Sequence, residues 1–117
     1  MKGRKNMAIT WASIEFTNPV KITQWDPPYR AAVYAIMRKK DPINKPNTYT
    51  LIYVGESGNL SDRGFYKSHH KYPCWTREAG VDENIYISVY LMPNSTEEER
   101  REIEGNIVKK IHPVCND

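Results

Sequence analysis

Alternating apolar and polar positions predict where this chain forms strands. The segment 84–92 has two faces, with Ile85, Ile87, Val89 and Leu91 on one and Tyr86, Ser88 and Tyr90 on the other. A period of two is typical of a β-strand. The segments 31–40 and 48–54 are rich in β-branched and aromatic residues and predict two more strands. A stretch with two prolines and two asparagines, 41–47, separates them and predicts a hairpin with a long tip.

The first thirty residues give weaker signals. Residues 11–22 predict a short strand, a turn at Asn18–Pro19 and a second short strand. Pro27 and Pro28 then form a rigid connector, because two consecutive prolines exclude a helix. We assign residues 1–30 to an N-terminal extension and residues 31–117 to one domain.

Two helices are predicted. The first spans 59–71, begins at Asn59 or Ser61, and would carry Arg63, Lys67 and His70 on one face. The second begins at Ser95 or Thr96 with a capping box and stops before Pro113. Its apolar stripe consists of Ile103, Ile107, Val108 and Ile111. Glu104 falls on or beside that stripe, where a carboxylate needs a partner such as Arg63 or a metal ion.

Composition narrows the class of protein. The chain has 117 residues, a net charge of +3 and no apolar run near the ~20 residues that span a bilayer. The basic N-terminus has no following apolar segment of the kind found in secretory signals. Cys74 and Cys115 lie far apart and lack the paired spacing of a zinc site, so they are predicted to be free thiols in a cytoplasmic protein.

Three stretches carry a resemblance. They are "VYAI" at 33–36, "YVGESGNLSDR" at 53–63 and "IEGNIVKKIHPVCN" at 103–116. Arg63 follows Tyr53 by ten positions. Pro113 and Asn116 follow Glu104 by nine and twelve positions. In this order and at these spacings, the chain resembles the GIY-YIG nuclease family.

The resemblance implies a small three-stranded antiparallel sheet flanked by helices, an α/β (α+β) fold. It implies an endonuclease that hydrolyses phosphodiester bonds in DNA with a divalent metal ion. The positions that match the family's catalytic residues are Tyr34, Tyr53, Arg63, Glu104 and Asn116, and Gly55 is the backbone position of the second motif. Tyr34 matches the family's favoured general base, and Asn116 matches the asparagine that braces the site.

The residue types suit this chemistry. Glu104 supplies one carboxylate to Mg²⁺ or Mn²⁺, which takes its other ligands from water and phosphate. No second acidic residue shares its helix face, so one metal ion per site is expected. Arg63 offers a fork of N–H donors to the phosphate. The expected partner is therefore the phosphate backbone of DNA, with no membrane and no second protein.

The chain departs from the family pattern at three places. Ala32 replaces the first motif's glycine. Tyr53 follows Tyr34 by nineteen positions, which implies an insertion at the hairpin tip. Lys67 stands four residues after Arg63, where the family often has histidine or tyrosine. Lys67, His69 and His70 are therefore candidates for substrate binding or proton transfer. The basic residues of the tip, Arg38, Lys39, Lys40 and Lys45, are either a solvated loop or a contact to DNA.

Two other interpretations stay open. The chain is also compatible with a catalytically inactive nucleic-acid-binding module of the same fold. A Cys/His metal-binding interaction domain that uses His69, His70 and Cys74 is the weaker alternative. Tight, stoichiometric zinc would distinguish it.

Overall fold

The structure is a computed structural model that describes residues 8–63 and 66–116, and for Arg63 the backbone alone. Its strands are β1 (Ile9–Trp11), β2 (Ile14–Phe16), β3 (Val20–Lys21), β4 (Ala32–Arg38), β5 (Thr50–Ser57) and β6 (Tyr86–Leu91). Its α-helices are α1 (Tyr72–Ala79) and α2 (Glu97–Ile111). The fold of this part of the chain is α+β with antiparallel sheets.

The main sheet has four strands in the order β3-β6-β4-β5, not the three that were predicted. The strands predicted at 31–40, 48–54 and 84–92 are confirmed as β4, β5 and β6. The fourth strand is β3, which pairs Val20 with Ile87 on β6. Without β3, the outer edge of β6 would leave backbone N–H and C=O groups unpaired.

A separate two-stranded sheet precedes the main one. β1 and β2 pair through a tight turn at Ala12 and Ser13, which have φ of 51° and 70°. Left-handed backbone at both central positions gives the twist that a two-residue hairpin needs. The sequence predicts no turn here, because alanine and serine rarely adopt positive φ.

The four-stranded sheet is buried on both faces. Successive residues of β4 enter different clusters: Tyr34 and Ile36 pack on one face, and Val33 and Ala35 pack on the other. We call the first face, which also carries Tyr53, the tyrosine face. A strand covered on both sides is apolar throughout, which explains why the segment 31–40 does not alternate.

The second helix is confirmed in position, cap and orientation. Thr96 Oγ1 accepts the Glu99 N–H at 3.1 Å, and Glu99 Oε1 accepts the Thr96 N–H at 2.8 Å. The helix ends before His112, which is left-handed with φ 56° and precedes Pro113. The predicted stripe packs on the face opposite the tyrosine face, and Ile107 is fully buried there.

A buried ion pair attaches α2 to β5. Arg100, which is 7% exposed, donates to Glu56 Oε1 at 2.8 Å. Its guanidinium also donates to the carbonyl oxygen of Ser95 at 2.8 Å. Buried charges need such pairing and hydrogen bonding. The arginine therefore fixes the start of α2 against the strand that carries Tyr53.

The continuous helix predicted over 59–71 is wrong. Two short 3₁₀ helices, Leu60–Arg63 and Tyr66–Ser68, occupy this region instead. Asn59 Oδ1 accepts both the N–H and the Oγ–H of Ser61, at 3.1 Å and 2.8 Å. This is the N-cap contact predicted at Asn59, and the helix that it begins ends at Arg63. The predicted common helix face of Arg63, Lys67 and His70 does not form.

The prediction of free thiols is also wrong. Cys74 and Cys115, 41 positions apart, form a disulfide with a Cα–Cα separation of 5.8 Å. It joins α1 to the C-terminal turn, a contact that only the tertiary fold creates. Among the described residues, no helix is long and apolar enough to cross a bilayer.

Candidate active site

The pairing of β4 with β5 brings the two motif tyrosines together. Tyr34 lies opposite Gly55, and Ile36 lies opposite Tyr53. Side chains two residues apart on a strand share a face, so Tyr34 and Tyr53 both lie on the tyrosine face. Their ring centroids are 6.1 Å apart.

Gly55 leaves room for the Tyr34 ring. A Cβ atom at position 55 would lie 2.5 Å from both Cζ and Oη of Tyr34. No side chain is compatible with that separation, so the phenol lies directly against the backbone of β5. The glycine of the second motif therefore positions the tyrosine of the first. The departure at Ala32 is accommodated, because its methyl group is fully buried in the core.

His69 is hydrogen-bonded to Tyr34. Its Nε2 atom lies 2.9 Å from Tyr34 Oη. Its Nδ1 atom accepts the backbone N–H of Lys71 at 3.0 Å. A nitrogen that accepts carries no proton, so the neutral imidazole is protonated at Nε2 and donates to Tyr34. A hydrogen bond donated to a phenolic oxygen favours the phenolate form.

Aromatic contacts hold His69 in this orientation. Its ring lies 4.5 Å from Trp75 and 5.3 Å from Tyr53, measured between centroids. His70, which is exposed, stacks on it at 4.6 Å. The sequence presents the two histidines as equivalent candidates, and the structure places only His69 against Tyr34. No sequence spacing identifies it, because the contact joins residues 35 positions apart.

Lys67, the rival for proton transfer, lies in a different environment. Its Nζ is 3.7 Å from Asp82 Oδ2, and its side chain is 49% exposed. This geometry suits binding of an anion better than abstraction of a proton.

Two tyrosines that the sequence did not single out converge on Asp82. Tyr72 donates to Asp82 Oδ1 at 2.6 Å, and Tyr66 donates to Oδ2 at 3.2 Å. The hydrogen bond to Asp82, together with burial, raises the pKa of Tyr72 to about 12. Burial and the charge of Asp82 raise the pKa of Tyr66. Both phenols therefore stay neutral at physiological pH, whereas the bond from His69 favours ionisation of Tyr34.

Asn116 braces β5. Its Oδ1 accepts the Val54 N–H, and its Nδ2 donates to the Val54 carbonyl, each at 2.9 Å. The side-chain amide thus makes the two hydrogen bonds that a residue of a neighbouring strand would make at the outer edge of β5. It fixes the residue next to Tyr53. The neighbouring Cys115 ties this turn to α1, the helix that carries Trp75.

Arg63 and Glu104 both follow β5 in the sequence and belong to different elements. Arg63 ends the 3₁₀ helix that follows β5, and its side chain lies outside the described part of the structure. Glu104 is partly buried on α2, the helix that packs on β5. The described contacts thus join Tyr34, Tyr53 and His69 in one cluster, and Glu104 lies on a helix that covers the opposite face.

A metal site must be built from few protein ligands. Within residues 8–62 and 66–116, no group of three or more His, Cys, Asp or Glu side chains could hold a metal ion. Cys74 is bonded to Cys115, which rules out the Cys/His site predicted from His69, His70 and Cys74. A single carboxylate such as Glu104 is compatible with Mg²⁺, which takes most ligands from water and phosphate.

The basic hairpin tip lies away from the motif tyrosines, Tyr34 and Tyr53. Lys39 Nζ stands over the Tyr86 ring at 4.7 Å, a cation–π contact within the fold. Lys40 and Lys45 are exposed. Arg38, at the end of β4, is four residues from Tyr34, or about 13 Å along an extended strand.

Comparison of the chain with protein-family models, curated proteins and solved structures finds no match.

Proposed function

We propose that this chain is a divalent-metal-dependent endonuclease of the GIY-YIG type that hydrolyses phosphodiester bonds in DNA. The hydrogen bond from His69 to Tyr34 is the observation that carries the proposal. A buried tyrosine hydroxyl usually has a hydrogen-bond partner in any case, and what distinguishes Tyr34 is that this partner donates to its oxygen. Here the donor belongs to an imidazole whose tautomer is set by a backbone N–H.

Tyr34 is the general base. Tyrosine ionises near pH 10 in water, so it must be stabilised as a phenolate to act near neutrality. The Nε2–H of His69 provides that stabilisation. The phenolate oxygen takes a proton from a water molecule, and the resulting hydroxide attacks phosphorus as the P–O bond to the leaving nucleotide breaks.

His69 and Lys67 have different roles. His69 cannot accept a proton at Nδ1 while that atom accepts the Lys71 N–H, so it acts through Tyr34 as a positioning residue. Lys67 is half-exposed and lies beside Asp82. It contributes to phosphate binding together with the exposed Lys40 and Lys45.

The remaining motif residues are assigned by their match to the family pattern, since α2, which carries Glu104, packs on the face opposite the tyrosine face. Glu104 would hold Mg²⁺ or Mn²⁺, which when bound stabilises charge on the phosphate and on the leaving oxygen. Arg63 donates to the phosphate as negative charge develops. Asn116 holds β5, and hence Tyr53, in register with Tyr34.

The disulfide bears on where the protein acts. Free thiols were expected for a cytoplasmic protein, but an S–S bond is typical of oxidising compartments and rare in the cytosol. We infer that the active form exists where Cys74 and Cys115 stay oxidised. Alkylation of unreduced protein from its native source, followed by mass spectrometry, tests this. Alkylated Cys74 in the native protein would contradict it.

Cleavage of supercoiled plasmid tests the proposed function. We expect nicking with Mg²⁺ or Mn²⁺, none with a chelator, and none by Glu104→Gln at equal folded concentration. Glu102→Gln, an exposed change two residues away on α2, is the matched control and should cleave normally. DNA binding without cleavage under any metal would instead identify an inactive binding module.

A further inference from the structure

A cavity of about 190 Å³ opens on the tyrosine face. One wall comes from the N-terminal segment, through Trp25, and another from the region of α1, through Tyr66 and Trp75. Tyr34 and His69 also line it. Whatever occupies this cavity therefore lies beside the phenol proposed to activate water.

The chemistry of the lining restricts the occupant. None of the described lining residues is Asp, Glu, Lys or Arg, and most are apolar or aromatic, which favours an uncharged occupant. Five lining residues have flat rings. The volume is below the about 300 Å³ at which pockets for drug-sized ligands begin. A single planar, uncharged ring system fits both conditions.

The aromatic walls are held in place. The Tyr66 hydroxyl donates to Asp82, so its ring is fixed at the cavity edge. Trp75 packs against His69 at 4.5 Å and against Tyr53 at 5.6 Å. Fixed rings lose little freedom when a base stacks on them.

We propose that this cavity binds the base of an unpaired nucleotide adjacent to the bond that is cut. The proposal rests on the proposed nuclease function and names its substrate class. A base inside a duplex is paired and stacked, so only a single-stranded, mismatched or extruded nucleotide can enter. The enzyme therefore acts on DNA with an unpaired nucleotide at the cleavage position, in preference to intact duplex.

The first test measures binding without cleavage. A single-stranded oligonucleotide with one 2-aminopurine is titrated with the full-length protein in a chelator, and its fluorescence is followed. We expect quenching when the base stacks, and about 5- to 150-fold weaker binding for Trp25→Ala, the range for loss of one stacking platform. Trp25→Phe should retain most of the affinity. Tyr29→Ala removes an aromatic ring that is 78% exposed and outside the cavity, and should have no effect.

A second variant keeps the proposal testable if Trp25→Ala does not fold. Trp25→Leu keeps an apolar side chain and removes the flat ring. We expect weaker binding of 2-aminopurine with circular dichroism unchanged. Unchanged binding by both folded tryptophan variants would overturn the assignment.

The second test compares cleavage of intact duplex with duplex that contains one unpaired nucleotide. Faster cleavage beside the unpaired nucleotide, lost in Trp25→Ala, supports both the cavity and the nuclease. Equal cleavage of both substrates overturns the cavity assignment and leaves the nuclease standing. Trp25-dependent quenching with no cleavage under any metal supports the cavity and overturns the nuclease. Neither quenching nor cleavage overturns both.

Discussion

The phenol of Tyr34 lies so close to Gly55 that a Cβ atom at position 55 would be 2.5 Å from its hydroxyl oxygen. The two residues are directly opposite each other on β4 and β5. One consequence is that the motif with Tyr34 and the motif with Tyr53 and Gly55 pack together as a single structural unit. The glycine is required at this place by the ring across the ladder and not by its own backbone angles, since its φ is not left-handed.

Gly55→Ala should therefore remove activity without unfolding the chain. The added methyl group meets the far end of the Tyr34 side chain, so the ring moves away and its bond to His69 is lost. We expect about 10²-fold or greater loss of cleavage rate, the lower end of general-base contributions. Circular dichroism and plasmid nicking measure the two effects. Gly105→Ala, on the exposed face of α2 with open space around it, is the control. A fully active Gly55→Ala protein would refute the fixed position of Tyr34.

Substitution of Tyr34 and Lys67 separates the two candidate bases. Tyr34→Phe should lower the cleavage rate by about 10² to 10⁴, the usual worth of a general base. Lys67→Met should cost much less and act mainly on KM, since Lys67 is a half-exposed cation. The kcat and KM of both variants are measured in the presence of Mg²⁺. A large kcat loss in Lys67→Met with a mild Tyr34→Phe would reverse the assignment.

His69→Phe tests positioning through the pH profile. This change keeps an aromatic ring against Trp75 and removes the donor to Tyr34. Less phenolate then forms at neutral pH, so the rising limb of the rate profile should move to higher pH, and activity should partly recover there. His70→Ala removes an exposed ring and should leave the profile in place. A lower rate with an unshifted limb would mean that His69 is only a packing residue.

The ion pair of Arg100 with Glu56 should contribute more to stability than the exposed pair of Arg101 with the same carboxylate. Arg100→Ala removes the partner that donates to the partly buried Glu56 carboxylate at 2.8 Å and should lower the free energy of unfolding by about 3 kcal/mol. Arg101 is 67% exposed and 3.7 Å from the same carboxylate, so Arg101→Ala should cost less than about 1 kcal/mol. Urea unfolding of both variants makes the comparison. Equal losses would show that Arg100 is not the principal partner.

Reduction of the disulfide should destabilise the chain. Closing a loop with a sequence separation of 41 corresponds to about 4 kcal/mol in the chain-entropy account. Cys74→Ser with Cys115→Ser should behave like protein treated with a reductant. Asn116 follows Cys115 and is hydrogen-bonded to the Val54 amide. Hydrogen exchange of that amide should therefore become faster in both the double mutant and the reduced protein. A melting temperature unaffected by reductant would contradict the bond.

High pH should weaken the contact of Tyr72 with Asp82. The pKa of Tyr72 is raised from 10.0 to about 12, so its contribution to stability is complete below pH 10 and is lost as the pH rises through 12. The stability difference between wild type and Tyr72→Phe should therefore shrink from pH 9 to pH 11.5. Tyr29→Phe, at an exposed position, should show no such trend. A constant difference across this range would argue against the hydrogen bond.

The sequence by itself determined the elements that have local signals. Period-two alternation and β-branched content located β4, β5 and β6, and the capping box at Thr96 located the start of α2. These signals are local because backbone geometry repeats every two residues in a strand and a cap uses residues three apart. Motif spacing likewise singled out Tyr34, Tyr53 and Asn116 before any contact between them was known.

Tertiary structure alone decided what these elements bring together. The link from His69 to Tyr34, the disulfide from Cys74 to Cys115 and the pairing of β3 with β6 join residues 35 to 67 positions apart. Such contacts have no period, since they depend on how the chain returns to itself after a turn. The failed helix over 59–71 likewise carries long-range contacts: the Tyr66 hydroxyl donates to Asp82, and His69 bonds to Tyr34, so tertiary partners and not helix periodicity orient these side chains.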